Sequence, residues 1–423
     1  MRKSLALLLK GDVSVLTLSG IGAQAINIIA YPFLISVYSP NDFGLFSILS
    51  ALALFSGAVI LLRFETIYQI VADQDDEKVM TAAMITGLVL TFILIFLFSL
   101  FGGTLLSAIT QGENVIWHAS YAVLIPAMAL LNGLFALSRQ YYAKRNRYLR
   151  FSIANFVRTL VMVAGQLFFV YLLPGPLGLI IGFIIGLVLA LIIAWPVSRR
   201  LILMLLGDPR QALIVAGKAI AVHHSFIRVD VISVLTSVSV LTIYPIIVAK
   251  GFGIAEAGYF AVASRLVYIP VTVLAAAIST VYFQRLSLAV RERSSVLNFY
   301  LYTVFIAILM AAFIAISVIL FADPFVRLLF PPEWERVSSI MIWLLPTFAV
   351  RFVIGSIGST PLALKKPKVI FMWNIVQITV LCFAWMFTRN SGLDDFLLSS
   401  GVALVLSASA YTVMLIILIR RLS

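Results

Sequence analysis

Twelve apolar stretches of about 20 residues, the length a helix needs to cross the hydrocarbon of a bilayer, dominate this 423-residue chain. They fall near 13–35, 43–64, 79–102, 115–137, 150–172, 177–197, 224–249, 258–282, 297–321, 337–360, 369–388 and 396–419. Strand-like alternation is absent, which argues against a membrane barrel. Charge supports the same solvent. Only 11% of residues are charged and 62% are hydrophobic, whereas a soluble surface needs roughly a quarter charged residues. The expected fold class is therefore all-α: a polytopic membrane protein with about twelve transmembrane helices, in two six-helix bundles around a central cavity.

The net charge of +13 invites a nucleic-acid reading. The placement of the basic residues argues against it. Arg2, Lys3 and Lys10, then Arg63 and Lys78, then Arg139, Lys144, Arg145, Arg147 and Arg150 fall on one side by loop parity. Arg199, Arg200, Arg210 and Lys218, then Arg285, Arg291 and Arg293, then Lys365, Lys366 and Lys368, and finally Arg420 and Arg421 follow on the same side. The other side holds only Lys250, Arg327, Arg336 and Arg389. The positive-inside rule places both termini in the cytoplasm. The cluster RQYYAKRNRYLR at 139–150 serves as an orientation signal or touches anionic headgroups.

A weak internal echo suggests duplication. YPFLISVYSPNDFGLF at 31–46 is answered by YPIIVAKGFGIAEAGYF at 244–260. Pro32 and Pro245 fall in the first and seventh stretches, and Gly44 and Gly258 open the second and eighth. Six helices separate the copies, so the halves would be parallel repeats, as in many transporters. The expected division is an N-terminal lobe with cytoplasmic linker at 1–210 and a C-terminal lobe at 211–423.

Charge inside the apolar stretches is the main functional signal, because an ion in hydrocarbon is costly unless it is paired or faces water. Arg158, Arg265 and Arg351 lie within stretches, Arg228 and Asp230 near the start of one, and Arg63 and Glu65 near the end of another. Positive groups predominate, so a cavity lined by them would attract an anion, and the guanidinium fork suits phosphate. Asp230 and Glu65 are candidates for a proton or cation site, or for counter-charges. Gln24 and Asn27, three apart, share a helix face and would bind sugar hydroxyls or join helices. Tyr31, Tyr68, Tyr244 and Tyr268 would stack on a sugar or anchor at the interface.

Other chemistry finds little support. His118, His223 and His224 with the single Cys382 do not make a metal site. No phosphate-cradling glycine motif is present, so an ATP-driven pump would need another subunit. No cofactor is implied.

Three segments carry a resemblance. GIGAQAINIIAYPFLISVYSPNDFGLFSI, LRFETIYQIVADQDDE and EAGYFAVASRLVYIPVTVLAAAISTVYFQRLS resemble the polysaccharide biosynthesis/export proteins, which include O-antigen and lipid-linked oligosaccharide flippases. They belong to a larger group of flippases and multidrug exporters. The resemblance implies two six-helix lobes, a cationic cavity, and translocation of sugars on undecaprenyl pyrophosphate from the cytoplasmic to the periplasmic leaflet of the bacterial inner membrane. It strengthens Arg63 and Glu65, since the family segment carries an Arg followed by an acid two positions on. Arg63, Arg158, Arg265 and Arg351 would then hold the pyrophosphate, a proton or sodium gradient is a candidate driver, and membrane lipids, a polysaccharide polymerase and chain-length machinery are the expected partners. The alternative cargo is a peptidoglycan lipid precursor or a small organic solute. A membrane enzyme would need a substantial external loop, and the stretches leave none, so no covalent chemistry on the cargo is expected.

Overall fold

The computed structural model describes residues 12–111, 121–173, 175–195, 208–292 and 296–420, all of whose regular structure is helical. Arg2, Lys3, Lys10, Arg199, Arg200, Arg293, Arg421 and His118 lie outside the described residues. Contacts divide the chain into two compact units, Met1–Thr242 and Ile243–Ser423.

The first unit contains α1 (Asp12–Ile35), α2 (Pro40–Gly57), α3 (Phe64–Ile70), α4 (Asp76–Ile109), α5 (Leu124–Lys144), α6 (Tyr148–Phe169), α7 (Leu177–Ile193) and most of α8 (Pro209–Phe252). α2 starts on a capping box. Ser39 Oγ accepts from the Asp42 N–H at 3.3 Å, and Asp42 Oδ2 accepts from the Ser39 N–H at 3.0 Å. Such a cap is worth about 1 kcal/mol. α5 packs on α2, α3, α4 and α7, while α6 packs on α1 and α7. Gln166 joins three elements. Its carbonyl accepts from Tyr38 Oη at 2.6 Å, and its side-chain amide donates to the Leu179 carbonyl at 3.1 Å.

The second unit contains the end of α8, then α9 (Ile254–Glu292), α10 (Val296–Leu329), α11 (Arg336–Trp343), α12 (Leu345–Ile357), α13 (Thr360–Ala363), α14 (Lys368–Thr388) and α15 (Leu393–Arg420). α12 is its hub and packs on α9, α10 and α15. Val271, Ala275, Ala307, Ala311 and Phe352 form a buried core there, where alanines let the helices approach closely.

Both units set a tyrosine against a phenylalanine, although not at equivalent positions of the sequence echo, which places Phe46 opposite Phe260. Tyr31 meets Phe43 with ring centroids 6.4 Å apart, and Tyr244 stacks on Phe260 at 5.3 Å. Each tyrosine directly precedes a helix-interior proline, Pro32 in α1 and Pro245 in α8, and its aromatic partner lies near the start of the next helix.

The expectation of about twelve spanning helices in two six-helix bundles does not stand. Among the described residues, six helices are long and apolar enough to cross a membrane, or seven if one bent pair counts as a single span. The six are 73–109, 148–169, 209–252, 296–329, 368–388 and 393–420. The stretch at 337–360 is broken into segments bent by 52°. The stretch at 43–64 leaves the helix after Gly57. Those at 13–35 and 177–197 yield shorter apolar helices, Ser19–Ile35 and Leu177–Ile193. Apolar composition is therefore shared between spans and broken or shorter helical segments. The six helices are inside-out by soluble standards. In the most apolar window of 73–109, only 17% is buried, and Phe92 and Phe96 point outward. Lipid is the solvent that such a surface requires.

Candidate functional site

Among the described residues, two adjacent non-glycine residues with positive φ occur together only between α2 and α3. After Gly57 the backbone makes a turn through Val59 to Arg63, and Leu62 and Arg63 are both left-handed, at φ 47° and 64°. Neither is a glycine, so each holds a conformation that L side chains avoid. Non-helical backbone is tolerated at membrane depth only where protein or water surrounds it. Here Ile60, Leu61 and Phe64 are buried in a core with Ile67, Tyr68, Val79, Ala83 and Ala129. Two glycines make the room. A Cβ on Gly133 of α5 would overlap Ile60 Cγ2, and one on Gly87 of α4 would come within 2.7 Å of Leu61 Cδ2.

The turn aims Arg63 at two carboxylates. Arg63 Nη1 donates to Glu65 Oε1 at 2.6 Å, and Arg63 Nε donates to Asp230 Oδ2 at 2.6 Å. Asp230 arrives from α8, 167 residues away. The side chains of Arg63, Glu65 and Asp230 are 19%, 8% and 26% exposed. Glu65 Oε2 is buried and has no hydrogen-bond partner among the described residues. Burial raises the Glu65 pKa above the usual carboxylate range, against the pull of Arg63, while Asp230 raises it further.

A second charged knot closes the same segment. Lys144 Nζ donates to Asp76 Oδ1 at 2.5 Å and to the Val71 carbonyl at 2.9 Å, and sits 4.8 Å from the Tyr68 ring centroid. Tyr68 Oη donates to Asp76 Oδ2 at 2.9 Å. The ends of α3 and α5 and the start of α4 are thus tied together. Arg145 adds a hydrogen bond to Tyr141 Oη and lies over that ring. Sequence reasoning missed this pair, since Lys144 read as orientation charge and Asp76 was assigned no role.

The other expected site residues are scattered. Arg158 of α6 is half-buried, donates to Asn155 Oδ1 at 3.2 Å, and lies 5.0 Å from the Phe135 ring centroid. Arg351 of α12 is half-buried, 4.6 Å from the Tyr268 ring centroid. Arg265 is half-buried on α9. Arg228 is exposed on α8, two residues from the Asp230 that Arg63 engages. Gln24 and Asn27 are half-buried on α1. Of the expected set, Arg63, Glu65 and Asp230 come together by direct contact. Tyr31, Tyr68 and Tyr244 are buried, and Tyr244 Oη is bonded to Ser400 Oγ at 2.8 Å. Among the described residues, no group of three His, Cys, Asp or Glu could hold a metal ion.

The fold is shared with known membrane transporters. An inward-facing multidrug resistance MATE family transporter of the MOP superfamily matches with TM-score 0.64 at 16% identity, over 100% of this chain and 98% of the other. The lipid II flippase MurJ, in an inward closed conformation, matches with TM-score 0.71 at 14% identity, over 94% of this chain and 86% of the other. A mutant of the Vibrio cholerae MATE transporter VcmN matches with TM-score 0.58 at 15% identity, over 98% and 96%. No curated protein matches this chain. A family match is more specific than these likenesses of fold. Residues 34–339 match the family described as Polysaccharide biosynthesis protein, and the chain belongs to that family. With six helices long and apolar enough to cross a membrane among the described residues, it is a multi-pass membrane protein with the fold of these transporters.

Proposed function

We propose that this chain flips a lipid whose sugar head is joined to its polyprenyl tail by pyrophosphate. The observation that supports this reading is the Arg63 cluster, which lies inside the family-matched segment. One guanidinium, held on strained backbone, faces two carboxylates in poorly solvated surroundings. A pyrophosphate offers the same forked acceptor geometry as a carboxylate, with more charge. Its arrival would draw Arg63 away from Glu65, and the released carboxyl, whose pKa burial already raises, would take a proton from water. Anion capture and proton uptake would then be one event, with Glu65 and Asp230 as its carboxylates. Arg158, Arg265 and Arg351 are further anion contacts in this scheme, and Arg228, Gln24 and Asn27 are peripheral ones. The tail stays in hydrocarbon throughout, and no bond of the cargo changes.

The cargo remains to be chosen within this class. The likenesses to a lipid II flippase and to multidrug transporters speak for the alternative cargo, a peptidoglycan lipid precursor or small organic solute, more directly than for an O-antigen unit. Among these, the excess of buried arginine favours the anionic lipid over a cationic drug. The proposed setting is the bacterial inner membrane with both termini in the cytoplasm, and lobes at 1–210 and 211–423.

Flipping in proteoliposomes tests the reading, with two cargoes that carry the same glycan on pyrophosphate or on a neutral linker. The expected result is faster movement of the pyrophosphate cargo, lost in Arg63→Ala. Equal movement of both would transfer recognition to the sugar and overturn the anion reading.

A further inference from the structure

Two basic clusters behave differently in this structure. In RQYYAKRNRYLR at 139–150, three of the five basic side chains are taken up by protein. Lys144 bonds Asp76 and the Val71 carbonyl, Arg145 lies near Asp76 and over the Tyr141 ring, and Arg150 Nε donates to the Ile193 carbonyl at 2.8 Å. In LKKPK at 364–368 the case is reversed. Lys365, Lys366 and Lys368 are exposed, and among the described residues no carboxylate lies within ion-pair distance of them. The turn that carries them is well held. Thr360 Oγ1 donates to the Ile357 carbonyl at 2.6 Å and is bonded to Tyr282 Oη at 2.7 Å. The Lys365 and Lys366 N–H groups donate to the Leu362 and Pro361 carbonyls at 3.0 and 2.7 Å. Local structure does not call for lysine here. Lys365 is left-handed at φ 57°, a conformation that glycine or asparagine adopts at lower cost. Lys368 opens α14, and the positive end of a helix dipole disfavours a cation.

The helix that follows sets the depth of the turn. α14 is one of the six helices long and apolar enough to cross a membrane, and Lys368 is its first residue. Phe371 and Met372, about one turn further on, are 37% and 58% exposed, and Leu362 on the other side of the lysines is 51% exposed. Exposed apolar side chains on both sides of exposed cations place the turn where hydrocarbon gives way to headgroups. We infer that Lys365, Lys366 and Lys368 form a docking surface for the headgroups of anionic phospholipid. The match is one of charge and depth. A headgroup phosphate meets three ammonium groups without a protein carboxylate to compete, and its acyl chains reach the level of Phe371 and Met372. A phosphate there also offsets the repulsion between Lys368 and the α14 dipole. The 139–150 cluster spends most of its basic groups on its own fold and is the weaker lipid surface. On the proposed orientation the lipid belongs to the cytoplasmic leaflet. The docking surface does not depend on which cargo is carried.

The test uses the full chain in neutral detergent, titrated with phosphatidylglycerol or phosphatidylcholine of the same acyl chains, and counts bound lipid by native mass spectrometry. The parent is expected to bind phosphatidylglycerol more tightly, with a preference that falls as salt rises. One lysine near an anionic membrane surface is worth roughly 5-fold, so Lys365→Gln, Lys366→Gln and Lys368→Gln together are expected to remove roughly 10- to 100-fold of that preference. Arginine at the same three positions keeps the charge and is expected to retain it. Arg145→Gln with Arg150→Gln, in the other cluster, is expected to remove a smaller share. If the triple glutamine variant fails to fold, Lys366→Gln alone takes its place, with a loss of roughly 5-fold expected. Equal binding of the two lipids by the parent, an unchanged preference in the glutamine variant, or a larger loss from the 139–150 variant would overturn the assignment. Displacement of phosphatidylglycerol by inorganic phosphate at constant ionic strength would overturn it as well, in favour of a soluble anion.

Discussion

Two clusters in this protein have the same composition, one arginine and two carboxylates, and different characters. In the first unit Arg63 bridges Glu65 and Asp230. In the second, Arg336 donates to both oxygens of Asp394, at 2.8 and 3.0 Å, and lies 3.5 Å from Glu256. Arg336 opens α11, Glu256 lies in the first turn of α9 and Asp394 in the first turn of α15. Carboxylates are favoured at helix N-termini, so this cluster staples three regular helix starts in its most comfortable arrangement. Its side chains are 26% to 37% exposed, although Glu256 Oε2 is buried with no hydrogen-bond partner among the described residues. The Arg63 cluster shares one of those supports, since Glu65 lies in the first turn of the short α3, but it is less exposed, with Arg63 at 19% and Glu65 at 8%. It sits on left-handed backbone inside an apolar core, with burial opposing the charge of Glu65. The same ions thus make a fastener in one unit and a poised group in the other, and what separates them is the backbone beneath and the solvent around.

That contrast can be broken experimentally. Arg63→Ala leaves two carboxylates unpaired in a mostly buried site and is expected to destabilise the first unit by about 3–5 kcal/mol and to abolish transport. Arg336→Ala is expected to lose only about 1 kcal/mol and to keep the transport rate per folded molecule. Thermal unfolding in nanodiscs, read beside flipping, separates the two, and equal losses in both would erase the distinction. Arg351→Ala is expected to slow transport roughly 10- to 100-fold, the scale of a lost charged hydrogen bond, with membrane abundance retained. Gly133→Ala presses on Ile60 and is expected to cost about 1–3 kcal/mol by overpacking, with a transport defect that follows the displaced turn. Glu65→Gln should act through pH alone. Glu65 is neutral below its raised pKa and charged above it, and Gln mimics the neutral form. The variant is therefore expected to behave at neutral pH as the parent does in acid, and its pH–rate profile should lose one limb. A cysteine placed at position 147 is expected to resist an impermeant reagent applied outside intact cells, and labelling there would reverse the assigned orientation.

What the sequence discloses follows from which interactions are local. The long apolar helices at 73–109, 148–169, 209–252, 296–329, 368–388 and 393–420 each overlap a stretch recognised from hydropathy alone. The excess spans came from a feature that hydropathy cannot register. Val59, Ile60, Leu61 and Leu62 are as apolar as any helix, yet they form a turn, because the pockets beside Gly87 and Gly133 accept it. At 337–360 the stretch bends just before Pro346, a local signal that apolar composition masked. Site residues follow the same rule. Spacing of two residues separates side chains on a helix, so Arg228 and Asp230 of α8 point to different faces. Asp230 indeed engages Arg63 instead. Arg63 and Glu65 have the same spacing and still pair, since Arg63 is not helical.

The buried turn after Gly57 also bears on how the protein is made. The ribosome releases α2 and the turn before α4 and α5, so the glycine pockets at 87 and 133 do not yet exist when Ile60 and Leu61 emerge. Lipid will not accept open backbone. The segment must therefore wait at the translocon or the membrane surface, or pass through as continuous helix and unwind later. In either case the turn reaches its final packing only once α4 and α5 are in place, and a nascent chain cut short of α5 is expected to be a substrate for membrane proteases.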